Sequence, residues 1–370
     1  MPRAYQDAVS RWAGVGPYYA MFPVAFADEV IRTHTRPGQT VLDPFAGRGT
    51  AIFSAATQRR YAIGIEINPV GYVYAKAKLS PASRNDVEFR LERLGELAGR
   101  FKESAAQLPA FFHRCFSLQV RSFLLAARAD LNWRQSKVDR SLMALLLVYL
   151  HGKTGSALSN QMRQTKSMSP QYAVRWWDQR GLHPPDLDAV AFMKARLAWR
   201  YAKGTPNAQG GRMYLGNSMR ELGRLRRMVQ EGFFSKASLL FTSPPYYGIT
   251  NYHYDQWLRL WLLGGPPHAL RNGNGRGGKF EARESYQKLL RQTFSRAAKL
   301  LDADATIYIR TDSRAFTYRT TLAVLREVFP DKRLVEVCRP LLGPSQTRLF
   351  GEASAPSEKN GEVDIILKPR

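Results

Sequence analysis

Two short segments carry residues whose types and order could do chemistry. Residues 43–50 read Asp-Pro-Phe-Ala-Gly-Arg-Gly-Thr, and residues 242–246 read Thr-Ser-Pro-Pro-Tyr. A glycine-rich turn between a buried strand and a helix lets a nucleotide-like ligand approach the backbone. A serine oxygen and a carbonyl oxygen held by prolines can both accept hydrogen bonds from a planar amine. The first segment therefore predicts a cofactor site, and the second predicts a clamp for an amine.

The cofactor site is predicted from the elements around the turn. Residues 40–43 are typical of a short buried strand, a helix is expected from Thr50, and the next strand stops at Glu66. Gly47 and Gly49 would supply the turn and the close approach of the ligand. An acid about 20 residues after such a turn commonly holds ribose hydroxyls, and Glu66 has that position. This spacing also fits a nicotinamide enzyme, but the G-x-G-x-x-G pattern is missing; a tight structural turn is the alternative.

The amine clamp has a physical rationale, because the exocyclic amine of a base is a poor nucleophile. Acceptors on its hydrogens, here the Ser243 Oγ and the Pro244 carbonyl, would aim the nitrogen lone pair. Pro245 would stiffen the turn, and the Tyr246 ring would stack on the base. A base inside a duplex cannot reach such a pocket, so it must be flipped out. The alternative is a proline-stiffened turn after a strand.

Both segments resemble motifs of the S-adenosylmethionine-dependent DNA amino-methyltransferases, the N4-cytosine and N6-adenine group. Residues 43–50 resemble the cofactor loop of that family, and residues 243–246 resemble its Ser/Asp-Pro-Pro-Tyr catalytic motif. Residues 19–23 resemble the element that packs on the methionine part of the cofactor. The resemblance implies S-adenosyl-L-methionine as the cofactor. It implies catalytic roles for Ser243, Pro244, Pro245 and Tyr246.

The same resemblance implies a set of cofactor-binding residues. Glu66 would hold the ribose, and Asn217 stands where the family often has an Asp near the adenine of the cofactor. The complete set comprises Phe22, Pro23, Asp43, Pro44, Phe45, Gly47, Gly49, Thr50, Glu66, Asn217 and Thr242.

The target base is predicted from the first residue of the catalytic motif. Serine there is commoner among the cytosine N4 enzymes of the family, and Ser243 therefore favours cytosine N4 over adenine N6. Methylation at cytosine C5 needs a cysteine nucleophile, and neither Cys115 nor Cys338 lies near either motif. Adenine N6, an RNA base amine and a catalytically inactive DNA-binding module stay open as alternatives.

The order of elements predicts an α/β fold: a Rossmann-like, doubly wound, mostly parallel sheet with an antiparallel edge strand and a largely helical insertion. Residues 1–83 and 211–370 would form the cofactor-binding catalytic domain. Residues 84–210 would form the insertion, a candidate target-recognition region. Strands are predicted at 40–43, 61–65, 213–215, 237–242, 305–310, 333–338 and 362–367.

The charge balance predicts a polyanionic partner. The 370 residues include 55 Lys and Arg against 30 Asp and Glu, a formal net charge of +25. Such an excess favours phosphate binding through counterion release, so the expected partner is double-stranded DNA with one base flipped out. A companion restriction endonuclease stays an open question. The candidate nucleic-acid-binding residues are Lys153, Arg163 and Lys166, together with Arg271 and Arg276 in the loop 264–278 and Lys279 directly after it.

Cysteine usage and hydropathy predict the compartment. The two cysteines lie far apart and without metal-ligand spacing, so neither a disulfide nor a metal is expected. The longest apolar run, residues 142–150, is too short to span a bilayer. No signal-type segment is found at the start of the sequence. These features predict a cytoplasmic protein without membrane contact.

Overall fold

A sheet of seven strands organises the fold. The computed structural model describes residues 5–17, 22–248, 252–269, 282–338 and 361–370. The strand order is β3-β2-β1-β4-β5-β7-β6; β1 to β5 pair in parallel, and β7 runs antiparallel to both β5 and β6. The predicted Rossmann-like α/β class, including its antiparallel edge, is confirmed. The strands are β1 (Thr40–Asp43), β2 (Tyr61–Glu66), β3 (Gly211–Leu215), β4 (Ala237–Thr242), β5 (Leu301–Asp312), β6 (Lys332–Cys338) and β7 (Glu362–Pro369).

Helices cover the sheet and form the insertion. The described helices are α1 (Ala8–Ala13), α2 (Val24–His34), α3 (Thr50–Thr57), α4 (Pro69–Leu79), α5 (Arg84–Ala98), α6 (Lys102–Ala106), α7 (Ala110–Cys115), α8 (Leu118–Asp130), α9 (Lys137–Tyr149), α10 (Pro170–Asp178), α11 (Ala189–Tyr201), α12 (Ser218–Gln230), α13 (Tyr252–Asp255), α14 (Trp257–Leu262), α15 (Arg283–Ala298) and α16 (Ala315–Val328), with a short 3₁₀ helix at Gly99–Phe101. Between residues 84 and 210 only isolated bridges occur, and no strand forms.

The central strands form because their sequences are apolar on both faces. All four residues of β1 are buried, as are five of the six residues of β2. Strands covered by helices on both sides carry such continuous apolar runs. On one face the sheet packs against α12, α15 and α16 through Leu222, Leu225, Tyr286, Leu290, Phe294, Val324 and Leu325.

The described residues divide into an α/β unit and a helical unit. The α/β unit holds the sheet, with residues 22–75, 207–248 and those from 282 onward. The helical unit holds Lys76–Pro206 together with residues 5–17 and 252–269. Its core includes α14, where Trp257 packs on Phe111 and Trp261 packs on Phe112, with ring centroids 4.8 Å and 4.5 Å apart. Residues 252–269 thus pack with the helices, whereas the sequence assigned them to the catalytic domain.

No helix in the described ranges has both the length and the apolar content needed to cross a bilayer. Within the same ranges, His, Cys, Asp and Glu side chains form no group suited to hold a metal ion.

Candidate active site

Residues that the sequence singles out lie at the ends of three strands and just after the end of a fourth. Asp43 ends β1, Glu66 ends β2, Thr242 ends β4, and Asn217 follows β3 by two residues. These strands are neighbours in the order β3-β2-β1-β4 and run parallel, so their carboxyl ends lie at the same edge of the sheet. Ligands of open α/β sheets bind outside this edge.

A hydrogen bond joins the two sequence motifs directly. The Thr242 hydroxyl donates to Asp43 Oδ1 at 2.5 Å, and the same oxygen accepts from the Phe45 backbone N–H at 3.0 Å. Asp43 is 2% exposed and Thr242 is fully buried. Burial raises the pKa of Asp43 to about 7, although the hydrogen bonds from Thr242 and Phe45 lower it. The predicted cofactor loop, residues 43–50, and the predicted catalytic turn, residues 242–246, are therefore joined by a hydrogen bond.

Glu66 closes the cofactor loop from the next strand. Its two carboxylate oxygens accept from the backbone N–H groups of Gly47 at 2.7 Å and Asn68 at 2.6 Å. Burial raises the pKa of Glu66 to about 7; the two hydrogen bonds lower it, and the neighbouring Asp43 raises it further. One buried donor beside this carboxyl has no partner among the described residues, the side-chain nitrogen of Asn68. An orphaned donor next to a buried acid fits a ligand that carries hydroxyl groups.

The two glycines of the loop have different structural reasons. Gly47 and Gly49 both adopt positive φ, 55° and 72°. A Cβ on Gly49 would lie 2.6 Å from the Cβ of Ala75, so the close approach there is that of helix α4. A Cβ on Gly71 would lie 2.7 Å from the Gly47 carbonyl oxygen, so α4 approaches the loop at a second point. A direct contact of Gly49 with the cofactor stays a prediction.

The remaining predicted cofactor residues surround this loop. Pro44 is buried, and its carbonyl oxygen accepts from the Ser218 hydroxyl at 2.5 Å. Asn217 is exposed and caps α12 by accepting from the Met219 N–H at 2.9 Å. Buried Thr50, at the first position of α3, accepts from Arg48 Nε at 3.1 Å. The cap accounts for Asn217 structurally, so its adenine contact stays a prediction.

Aromatic rings line the start of α2. Phe22 stacks on Phe241 of β4 with centroids 4.7 Å apart, and Pro23 is the residue that precedes α2. The guanidinium group of Arg310 lies over the ring of Phe26 in α2, and its Cζ atom is 3.5 Å from the ring centroid. Residues 19–21, which belong to the predicted methionine-packing element, lie outside the described residues.

The catalytic turn carries a hydrogen-bond chain that the sequence did not reveal. The Ser243 hydroxyl lies 3.3 Å from the Tyr246 hydroxyl, which lies 3.0 Å from Glu362 Oε1 at the start of β7. Pro244 is buried and Pro245 is half-buried, whereas Tyr246 is only 5% exposed. The Tyr246 side chain is therefore fixed by its hydroxyl, and stacking of its ring on a base stays a prediction.

Sequence reasoning missed the charged residues of β5 and β7. Arg310 and Asp364 are paired in register on β5 and β7. They form a bidentate ion pair in which both N–O distances are 2.7 Å. Glu362 lies 3.5 Å from the Arg310 guanidinium. The available signal was the presence of charged residues inside strands that are otherwise apolar, because such residues are buried only when paired.

The predicted nucleic-acid-binding residues fall in two groups. Lys153, Arg163 and Lys166 are exposed on the helical unit, although Lys166 forms an ion pair with Asp255 at 2.8 Å. The other three, Arg271, Arg276 and Lys279, lie outside the described residues.

Comparisons with known proteins agree with the first motif. A family model for N6/N4 methyltransferases, described as DNA methylase, matches residues 3–76. The Type II methyltransferase M.Cfr9I of Citrobacter freundii is 41% identical over 54 residues, 15% of this chain and 18% of that protein. The Type II methyltransferase M.XycI of Xanthomonas campestris pv. cyanopsidis is 34% identical over 70 residues, 19% of this chain and 23% of that protein. The resemblance to the DNA amino-methyltransferase family is confirmed over the matched segment, which spans less than a quarter of either relative.

Two solved structures are similar to this chain at a TM-score of 0.36. TrmN from Thermus thermophilus is 11% identical, with 98% of this chain and 52% of that chain covered. The rRNA methyltransferase aviRa from Streptomyces viridochromogenes is 16% identical, with 99% of this chain and 96% of that chain covered. Neither likeness adds to the fold assignment, which rests on the strand order.

Proposed function

We propose that this chain is a DNA methyltransferase that acts on the exocyclic N4 amine of a flipped-out cytosine. The observation that supports this most directly is the 2.5 Å hydrogen bond between Thr242 and Asp43. It ties the turn with the amine acceptors to the loop with the cofactor-binding groups. A reaction between an amine and a cofactor needs both at one edge of the sheet.

The residues at this edge fit S-adenosylmethionine as the cofactor. Glu66 offers a carboxylate for ribose hydroxyls, and the side-chain nitrogen of Asn68, buried and without a partner among the described residues, offers a donor. Asp43 adds a second carboxyl that hydrogen-bond donors or a positive charge would favour in its ionised form. The bound cofactor supplies an electrophilic methyl group on a sulfonium. The role of the chain is to hold that group and the amine in line and to exclude water.

The catalytic turn acts on the amine by orientation. Ser243 Oγ and the Pro244 carbonyl accept the two amine hydrogens, which turns the nitrogen lone pair toward the methyl group. Pro244 and Pro245 restrict the backbone, so the carbonyl keeps its direction without reorganisation during the reaction. No covalent intermediate on the protein is required.

A pair of variants tests this division of labour. Ser243→Ala should lower single-turnover methyl transfer to duplex DNA by about 100-fold, as the loss of a placed hydrogen-bonding group does. Calorimetry should show unchanged affinity for S-adenosylmethionine. Asp43→Ala should instead weaken cofactor affinity about tenfold or more, because a buried group at the loop is lost.

Ser238→Ala is the matched control. Ser238 lies near the start of β4, the strand that ends directly before Ser243, and its hydroxyl donates to Asp302 at 3.2 Å, away from the carboxyl end of β4. This variant should transfer methyl groups at the wild-type rate. Wild-type transfer by Ser243→Ala would remove the amine clamp from the account. A wild-type protein that binds DNA but never the cofactor would point to an inactive DNA-binding module.

A further inference from the structure

Tyr246 connects the catalytic turn to a buried acid. Its hydroxyl lies 3.3 Å from Ser243 Oγ on one side and 3.0 Å from Glu362 Oε1 on the other. Glu362 is the first residue of β7, on the strand next to β5, and its side chain is 13% exposed. The three oxygens form a continuous chain from the amine clamp to a carboxylate.

The direction of the two hydrogen bonds between Ser243, Tyr246 and Glu362 follows from the chemistry of these groups. An ionised carboxylate can only accept, so the Tyr246 hydroxyl donates to Glu362. The Tyr246 oxygen then accepts from Ser243, which uses the single proton of the serine hydroxyl. The remaining lone-pair capacity of Ser243 Oγ is what an acceptor for a substrate amine requires. The chain thus prepares Ser243 as an acceptor rather than a donor.

Arg310, Asp364 and Asp312 are the charged groups that act on Glu362. Arg310 of β5 lies 3.5 Å away and is itself held by Asp364 of β7. Asp364 and Asp312 are acids in the neighbourhood, and Tyr246 provides the hydrogen bond. Burial raises the pKa of Glu362, while Arg310 and the Tyr246 hydroxyl lower it and the two aspartates raise it. A carboxylate in such surroundings is a stronger base than an exposed one.

We propose that Glu362 is the final acceptor of the proton that the substrate amine loses, and that the hydroxyls of Ser243 and Tyr246 pass this proton on. The inference rests on the proposed function. It assigns to this chain the proton acceptor that the two sequence motifs do not contain.

The proton balance of this step closes on the protein. The nitrogen gains a carbon bond as the methyl group leaves the sulfonium donor, and the nitrogen becomes cationic. The N–H bond then breaks toward Ser243 Oγ as the original Ser243 proton moves to the Tyr246 oxygen. The original Tyr246 proton moves to Glu362. The products are a neutral methylated amine, two intact hydroxyls and an uncharged carboxylic acid, which can return the proton to water through its exposed fraction.

Two conservative variants interrupt the chain at different points. Tyr246→Phe keeps the ring and removes the middle hydroxyl, and Glu362→Gln keeps the shape and the hydrogen-bond acceptor but removes the base. Each should lower single-turnover methyl transfer at least about tenfold, within the range of general acid–base effects. The double variant should be no slower than the slower single variant, because both remove the same relay.

Tyr308→Phe serves as the matched control. Its hydroxyl also donates to a buried acid of β7, Asp364, at 3.0 Å, and it is not one of the three groups of the proposed relay. It should retain the wild-type rate. Thermal unfolding and cofactor affinity of all four variants establish that the fold and the cofactor site are kept.

A readout without turnover separates a relay from a structural role. In the cofactor-free protein, infrared spectra recorded over a pH titration should show a carboxyl band that is lost in Glu362→Gln. Tyr246→Phe should raise the pH at which that band has half of its intensity, because the hydrogen bond from Tyr246 favours the ionised form of Glu362. In the transfer assay, the wild-type rate should fall as the pH drops and Glu362 takes up its proton. This acid-side loss should be smaller in Glu362→Gln.

The outcomes keep the relay apart from the function on which it rests. Wild-type transfer accompanied by unchanged rates in Tyr246→Phe and Glu362→Gln would overturn the relay alone. Rate losses that multiply in the double variant would also overturn it. A wild-type protein that transfers no methyl group to any base amine would overturn the proposed function, and the relay with it.

Discussion

At the scale of single residues, Asp43 and Glu66 are two carboxyls at the predicted cofactor site whose pKa values are raised. Both are buried at the ends of neighbouring strands, and burial raises the pKa of each to about 7. Near neutral pH the cofactor-free protein therefore holds part of both carboxyls in the protonated form. A ligand with hydroxyl donors or a positive charge would favour the ionised form.

The raised pKa values predict a pH dependence of stability. Since they lie above the ordinary values of 3.8 and 4.5, the folded state binds more protons than the unfolded chain in this interval. The contribution of each carboxyl to stability is full below its unfolded pKa. It is lost as pH rises toward about 7, by up to about 1.4 kcal/mol per pH unit. Asp43→Asn removes one titrating group and should reduce this loss, as measured by urea unfolding across the interval.

Asp331→Asn is the control, since Asp331 is an exposed aspartate of the same unit. It should keep the pH dependence of the wild type. An Asp43→Asn variant whose unfolding free energy changes with pH as in the wild type would show that Asp43 does not titrate in this interval.

The sequence was sufficient for the residues near the two motifs, because strand ends and short spacings determine which groups meet. It was insufficient for Glu362, whose partner Tyr246 is 116 positions away along the chain. That contact depends on β7 inserting between β5 and β6, which brings the first residue of β7 to the catalytic turn. No local pattern encodes the partner of a buried charge.

At the scale of elements, the cofactor loop is shaped by helix α4 as well as by its own glycines. Gly49 has φ of 72°, and a Cβ there would lie 2.6 Å from the Ala75 side chain. Real Cβ atoms do not approach so closely, so either the loop or the helix would have to move. The turn was predictable from its glycines, but the element that approaches it was not.

Gly49→Ala should therefore destabilise the protein more than Gly38→Ala. Gly38 also has positive φ, 85°, but a Cβ there would meet nothing within 4 Å. Gly38→Ala should cost about 1 kcal/mol from the backbone alone, and overlap at Gly49 should add about 1–3 kcal/mol. Equal unfolding free energies for the two variants would mean that α4 does not constrain the loop.

Residues 151–169 form an irregular, polar segment that packs against Arg259 of α14. His151 and Arg259 are both fully buried there. The Arg259 guanidinium donates to the carbonyl of Leu147 in α9 at 2.9 Å and to the carbonyl of Gln164 in the irregular segment at 2.5 Å. A buried cation from α14 thus supplies a hydrogen bond that a strand or helix would otherwise provide to this segment.

At the scale of the whole molecule, the described residues divide into the α/β unit and the helical unit. The fold class followed from the alternation of apolar strands and helices. The limits of the helical unit did not, because residues 252–269 join it through tryptophan packing that no linear pattern shows. Target recognition by residues 84–210 stays a prediction. The net charge of +25 supports a nucleic-acid partner for the whole chain.

If the chain methylates an exocyclic amine of a DNA base, the methylated nucleoside identifies both the reaction and the base. Purified protein is incubated with S-adenosylmethionine carrying an isotopically labelled methyl group, together with duplex DNA or with tRNA, and the nucleosides are identified by mass spectrometry. We expect labelled N4-methylcytosine from the DNA; labelled N6-methyladenine would mean the same chemistry on a different base. The proposed function would be wrong if the label appeared at cytosine C5 or in tRNA alone. It would also be wrong if no base carried the label although the cofactor was bound.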